Sequence, residues 1–278
     1  MEKSHINSDL THLDYYKSEH RKEQLRIEFH LVEHCNLNCR GCSHYSPLAK
    51  DEFLDIAQFE KDTFRLSQLL GKRIASINLL GGEPLLHPDV AQFCRVARKY
   101  FPKAEINIVT NGILLKSMSN DFWDTCQECC IMLGLTKYPI KLNYSDIEKK
   151  AAINNVNLFD YHIVENFRKD VLDPDGKQIP NDSYKKCPLV AFGRLQIKKG
   201  KLFQCATAAY INHINDYFHM NFQITDKDYL DLYQKISEEK ILQFIFNSFP
   251  FCRYCALKDW KFNDEWTTSK RVWSEWSN

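Results

Sequence analysis

Short apolar runs alternating with amphipathic stretches constrain this chain more than any other feature. Leu25 to Val32 reads L-R-I-E-F-H-L-V, apolar at alternate positions as a strand requires. Asp51 to Leu70 then places Phe53, Ile56, Phe59, Thr63, Leu66 and Leu70 at three- and four-residue steps, the period of a helix. The alternation continues with strands predicted over 75–80, 105–110, 130–136 and 156–163. Helices are predicted over 88–100, 121–128 and 144–154. Strand–helix alternation implies βαβ units and a parallel sheet, and five or six units make a full or partial (β/α) barrel. The pattern breaks at Glu165. A polar stretch with the turn Asp173-Pro174-Asp175-Gly176 follows, then two short apolar runs, 194–198 and 201–205, around Lys199-Gly200, which read as a hairpin. A helix is predicted over 230–247. The expected division is a polar N-terminal segment, 1–24, a partial TIM-like α/β barrel, 25–165, and a small β-hairpin plus helix extension, 166–278.

Charge narrows the function classes. Of 278 residues, 37 are Lys or Arg and 36 are Asp or Glu, a net charge of +1. A nucleic-acid partner usually leaves a strongly basic footprint, so none is expected. No apolar run approaches the ~20 residues that span a bilayer, and residues 1–24 carry no apolar leader. A cytoplasmic protein with no membrane partner is expected. Against that background the eleven cysteines stand out, because disulfides are rare in a reducing compartment. They serve either as buried small hydrophobes or as soft metal ligands.

Three of them, Cys35, Cys39 and Cys42, follow the first strand with spacing C-x3-C-x2-C. Three thiolates on one loop can hold one side of an iron–sulfur cluster and leave one iron open to a small molecule. A zinc loop completed by His34 or His44 is the alternative. Gly81-Gly82-Glu83-Pro84 ends the second strand, and Val109-Thr110-Asn111-Gly112 ends the third. Glycines there let backbone approach a ligand, and a carboxylate there can receive an ammonium group.

In this order, after successive strands, these segments resemble the radical S-adenosylmethionine (SAM) superfamily over roughly residues 25–165. The resemblance implies that Cys35, Cys39 and Cys42 ligate a 4Fe-4S cluster. It implies that Gly81, Gly82, Glu83 and Pro84 form the motif holding the amino group of SAM, with Thr110 and Asn111 as further cofactor-binding candidates. Many members carry an aromatic residue just before the third cysteine, where this chain has Gly41; Tyr45 is the expected substitute for packing on the adenine. Reductive cleavage of SAM to a 5′-deoxyadenosyl radical, which abstracts hydrogen from a substrate carbon, is the implied reaction.

Cys187, Cys205, Cys252 and Cys255 form a second set around the predicted hairpin. Four thiolates can fully ligate a cluster; a four-cysteine zinc ribbon has a similar layout. Beside the first constellation, the set resembles the Twitch form of the SPASM extension, which implies one auxiliary 4Fe-4S cluster. Cys94, Cys126, Cys129 and Cys130 are expected to be packing residues, and none is placed to return hydrogen to a substrate, which disfavours epimerisation. His30, His34 and His44 flank the triad; His34 and His44 are the better candidates to support the cluster or touch substrate. Lys137 and Tyr138 are expected near the pocket. Arg194 and Lys198 are expected to be solvated. Trp260, Trp266, Trp273 and Trp276 suggest a packed tail that seals the auxiliary cluster.

The expected function is a radical SAM oxidoreductase of the Twitch type, oxidising a sugar-like or other polar small molecule. Its expected cofactors are two 4Fe-4S clusters and SAM, and its electron donor a flavodoxin or ferredoxin. The alternatives are a peptide-modifying SPASM enzyme making a crosslink or epimer, and a zinc-binding structural protein.

Overall fold

The structure, a computed structural model, describes residues 24–278, so the expected N-terminal segment lies, but for its last residue, outside the described residues. Six parallel strands form the framework: β1 (Leu25–Val32), β2 (Ile74–Gly81), β3 (Glu105–Thr110), β4 (Ile131–Lys137), β5 (Leu158–Ile163) and, further along the chain, β7 (Arg194–Lys198). Helices α1 (Ile56–Leu70), α2 (Val90–Tyr100), α3 (Asn120–Glu128) and α4 (Tyr144–Ile153) connect the first five. Local signals start these helices. Asp55, Ser119 and Asn143 each accept a backbone N–H of the first turn, which satisfies a donor the helix itself cannot.

The sheet runs β5-β4-β3-β2-β1-β7-β8-β9, where β8 is Lys201–Phe203 and β9 is Leu230–Asp231. Ile27, Phe29, Leu31, Ile77, Leu79, Ile106 and Ile108 face the helices and form the larger core with Phe59, Leu66 and Phe93. This is the mixed, mostly parallel α/β architecture of a partial TIM-like barrel. The hairpin β7–β8 turns on Lys199 and Gly200, both with positive φ, 49° and 76°, the pair that a type I′ turn requires. Its first strand does not stand apart: β7 pairs in parallel with β1, Glu28 opposite Gln196.

The helix expected over 230–247 is shorter. Leu230–Asp231 joins the sheet and α9 runs only Glu238–Ile245. Ser237 caps it by accepting the Lys240 N–H, with Glu238 and Glu239 in the first turn, a start signal that apolar spacing alone overlooks.

Around a second core pack β6 (Phe167–Lys169), α5 (Pro180–Lys186), α6 (Pro188–Phe192), α7 (Ala206–Tyr210), α8 (Asn212–Phe218) and β10 (Lys261–Asp264). β6 pairs with β10, and Ala256 and Asp173 donate to Val171 and Tyr254 carbonyls, lacing residues 167–173 to 254–264. This core gathers Tyr45, Cys187, Cys205, Cys252, Phe251 and Trp276. Among the described residues no helix is long and apolar enough to cross a membrane.

Candidate metal centres

The loop after β1 is curled by left-handed backbone at Asn38, Gly41 and Tyr45, which turns Cys35, Cys39 and Cys42 toward one another. Burial pushes the Cys35 and Cys39 thiols up to about 12, and the Cys42 sulfur adds to the rise of both. Cys42 is raised by burial too. The thiols are therefore protonated until a metal displaces the protons. A side chain at position 41 would have to adopt φ +65° and would start 3.4 Å from the Glu275 carbonyl. The C-terminal tail thus lies where an aromatic residue before Cys42 would stand.

The paired glycines act on the chain itself. A Cβ at Gly82 would lie 1.9 Å from the His34 carbonyl, and one at Gly81, φ +148°, 2.2 Å from that of Val32. Their absence lets Gly82 N–H reach Val32 O at 2.7 Å and Glu83 N–H reach His34 O at 3.1 Å. The end of β2 is so fastened to the root of the cysteine loop.

Glu83 is buried. Its Oε1 accepts the Thr110 hydroxyl at 2.7 Å and the Leu85 N–H at 3.1 Å, and its Oε2 accepts the Asn111 N–H at 3.0 Å. Burial pushes its carboxyl up to about 7, against the pull of these donors. Asn111 closes the circuit. Its Nδ2 donates to Asn36 Oδ1 at 2.7 Å and lies 3.8 Å from Cys35 Sγ. Gly81, Gly82, Glu83, Thr110, Asn111 and the cysteine loop therefore form one site, with Pro84 opening a buried 3-10 turn behind Glu83. Tyr45 does not join it. Its ring is fully buried in the second core, 6.1 Å from Trp276.

The second cysteine set, Cys187, Cys205, Cys252 and Cys255, lines one pocket among Leu189, Val190, Phe249 and Phe251. Burial pushes Cys187 up to about 11 and Cys205 up to about 12, and raises Cys252 and Cys255 as well. Among the described residues no three His, Cys, Asp or Glu side chains converge tightly enough for a single metal ion. Three thiols gathered on one loop and four around one pocket are soft donor sets that fit an iron–sulfur group, as they would zinc.

Cys94, Cys126 and Cys129 pack in the larger core, and Cys130 is exposed. His34 sits 3.5 Å from Asp51, and His44 packs edge-on against His30 at 4.7 Å. Lys137 pairs with Glu148 and Asp160. Arg194 and Lys198 differ from expectation. Arg194 lies 3.7 Å from the buried Glu28 and 4.9 Å over the Tyr161 ring. Lys198 is largely buried, donating to Ala209 O and Asn212 Oδ1 and standing 4.4 Å over Tyr210. They are drawn inward because β7 packs beside β1, which periodicity cannot reveal.

The tail also differs. Trp260 and Trp276 do pack in the core that holds the second cysteine set. Yet Trp266 donates its indole N–H to Cys39 Sγ at 3.1 Å, and Trp276 donates to the Cys42 carbonyl at 3.0 Å. Arg40 N–H donates to Thr267 O and Ser269 N–H to Asn38 O, so the tail pairs with the triad loop as a short antiparallel strap. Sequence reasoning missed two buried charge groups. Glu33 is held below the usual carboxylate range, against its own burial, by His213 at 2.7 Å and by His30. Asp170 is raised by burial although Arg168 pairs with it. Neither group carries a motif.

Residues 30–161 match the family described as the Radical SAM superfamily. The GTP 3',8-cyclase of Thermodesulfovibrio yellowstonii is 29% identical over 148 residues, 50% of this chain and 40% of that protein. That of Chlorobaculum tepidum is 29% identical over 126 residues, 45% and 35% of the two chains. The chain thus spans well under half the length of these curated relatives. Among solved structures, BtrN in complex with AdoMet and 2-DOIA superposes with a TM-score of 0.54 at 16% identity, over 83% of this chain and 92% of BtrN. Native anSMEcpe with bound AdoMet gives 0.51 at 14% identity, over 84% of each chain. At such identities the likeness is one of fold.

Proposed function

The chain carries the radical SAM domain of that superfamily of enzymes, and from this premise we propose that it oxidises a polar small molecule with the help of a second cluster. In this reading Cys35, Cys39 and Cys42 hold the SAM-binding 4Fe-4S cluster. Gly82, Glu83, Thr110 and Asn111 hold the methionine end of SAM, and Cys187, Cys205, Cys252 and Cys255 hold an auxiliary cluster. The group held by Cys35, Cys39 and Cys42 would supply the electron for reductive SAM cleavage and so the means of taking hydrogen from a substrate carbon, and the group held by Cys187, Cys205, Cys252 and Cys255 would supply an acceptor for the remaining electron. The observation that carries this reading is Asn111, whose backbone anchors Glu83 while its side chain reaches the Cys35 sulfur.

The sheet face turned away from the helices supports a polar substrate. Glu28 accepts from Asn78 and Gln196, and Asn78 accepts from Asn107, in one register layer. Beside them His30 Nδ1 lies 3.6 Å from Glu33, and the Gln196 and Asn107 side-chain carbonyls are buried without hydrogen-bond partners. Each such group costs about 1–3 kcal/mol if it stays unpaired, so this face suits a ligand rich in hydroxyl or amino groups. Burial lowers His30 to about 3, which keeps it neutral and able to accept or donate. Glu28 and Glu33 lie against Arg194 and Lys198, so on this face these two described cations are balanced by carboxylates and not free for a triphosphate. That balance favours a sugar-like or aminated substrate over the nucleotide named for the cyclase relatives.

Anaerobically prepared protein should contain about eight irons with matching sulfide and release 5′-deoxyadenosine from SAM with dithionite. Replacing Cys35, Cys39 and Cys42 together with Ala should leave about four irons and no SAM cleavage. Zinc without sulfide, or cleavage by the triple variant, would overturn the reading.

A further inference from the structure

Each sulfur of the first triad has an N–H near it, but the sources differ. Cys35 Sγ accepts the Leu37 N–H at 3.4 Å, two residues along its own loop. Backbone groups of residues 44–46 serve Cys42 in the same way. Cys39 is served by its own backbone N–H and the Tyr138 hydroxyl, and a further donor comes from the other end of the chain: Trp266 Nε1, 3.1 Å from Sγ and 227 residues away. Indole is a donor only, so this group has no other use for its hydrogen. The bond is also held in place. The strap from Thr267 to Ser269 pairs with Asn38 to Arg40, Cys39 lies opposite Thr268, and the Trp266 ring packs 5.8 Å from that of Tyr138.

We infer that Trp266 is a positioning residue for the first centre, raising the reduction potential of the cluster that Cys39 would ligate. This rests on the triad holding a cluster, as proposed above. Reduction adds one negative charge, part of which resides on the ligating sulfurs. An N–H dipole aimed at a buried sulfur stabilises the more negative state more than the less negative one, with little water to screen it. Hydrogen bonds to sulfur are among the means by which a protein sets such a potential. The residue makes this contribution without touching iron, SAM or substrate, and only while the C-terminal strap is docked.

The test is a redox titration of the anaerobically reconstituted full chain and its Trp266→Phe variant. It is followed by electron paramagnetic resonance on the signal that shifts when SAM is added, which separates the first cluster from the second. Phe keeps the ring against Tyr138 and removes only the donor. Iron content should be unchanged, while at a fixed potential the variant should be on the order of tenfold less reduced, a shift of about 59 mV to more negative values. Trp266→His, which retains a ring N–H, should recover part of it. An unchanged midpoint in a variant with full iron content would show that Trp266 only packs. A parent with no SAM-responsive signal would instead sink the functional reading itself. A measurement on the parent needs no variant: with nitrogen-15 in the tryptophan rings, pulsed resonance should detect an indole nitrogen coupled to the SAM-responsive cluster. Absence of that coupling would overturn the inference.

Discussion

Both oxygens of Glu83 accept hydrogen bonds from the chain itself, so the residue ties β2 to β3 and, in the proposed function, would have the second task of facing SAM. Gln at this position would turn an amide NH2 toward one of those donors and cost about 1–3 kcal/mol locally. SAM binding should weaken on the order of tenfold or more with iron content unchanged, because a buried charge-assisted pair is lost. The pH dependence separates the two tasks. The folded carboxyl sits near 7 against an ordinary 4.5. Its contribution to folding is therefore complete below about 4.5 and is lost as pH rises through about 7. SAM's ammonium needs the ionised form, so affinity should fall as pH drops below about 7, by up to about tenfold per unit. Calorimetric titration across pH 5.5–8 checks this, and a flat profile for Glu83→Gln identifies the group. The sequence made the motif legible, but not the reason for its glycines: the 1.9 Å clearance that Gly82 relieves is against the His34 backbone, a neighbour 48 positions away.

The strap from Trp266 to Ser269 has no periodicity and no cap, so nothing in its sequence announces that it will pair with the first cysteine loop. Strands β1 to β5 and helices α1 to α4 were legible because each obeys a local rule of spacing or capping. The hairpin was legible from Lys199-Gly200, yet its seat beside β1 was not, since turn chemistry says nothing about distant partners. Deleting residues 265–278 removes the Trp266 and Trp276 donors and the two strap hydrogen bonds. It also opens the second core at Trp276, which is fully buried and whose carbonyl accepts the Leu172 N–H. Loss of outer partners typically lowers metal affinity 10- to 100-fold. A chelator should therefore strip iron from the truncated protein about 10–100 times more readily than from the full chain, and Cys39 iron should go first. Equal rates would mean the tail is only a cover.

The two cysteine centres hang from one framework: the first loop leaves β1, and Cys205 follows the hairpin that begins with β7, the strand next to β1. Changing Cys252 and Cys255 to Ala should leave SAM cleavage intact while little oxidised product forms, because the first centre keeps its own ligands. Circular dichroism must show the variant folded, since a bound group can itself support the second core. Normal product yield from a folded variant would make the second centre structural and the net reaction redox-neutral. The insertion of β7 also bears on how the molecule comes into being on the ribosome. Until residue 198 has been synthesised, β1 presents an open edge, with the backbone groups of Arg26 to Phe29 awaiting their pairing. Open edges invite association with other chains, and a pairing that spans about 170 positions closes slowly. Nascent chains stopped near residue 165 should need a chaperone to stay dispersed, and the same chains extended past residue 203 should not.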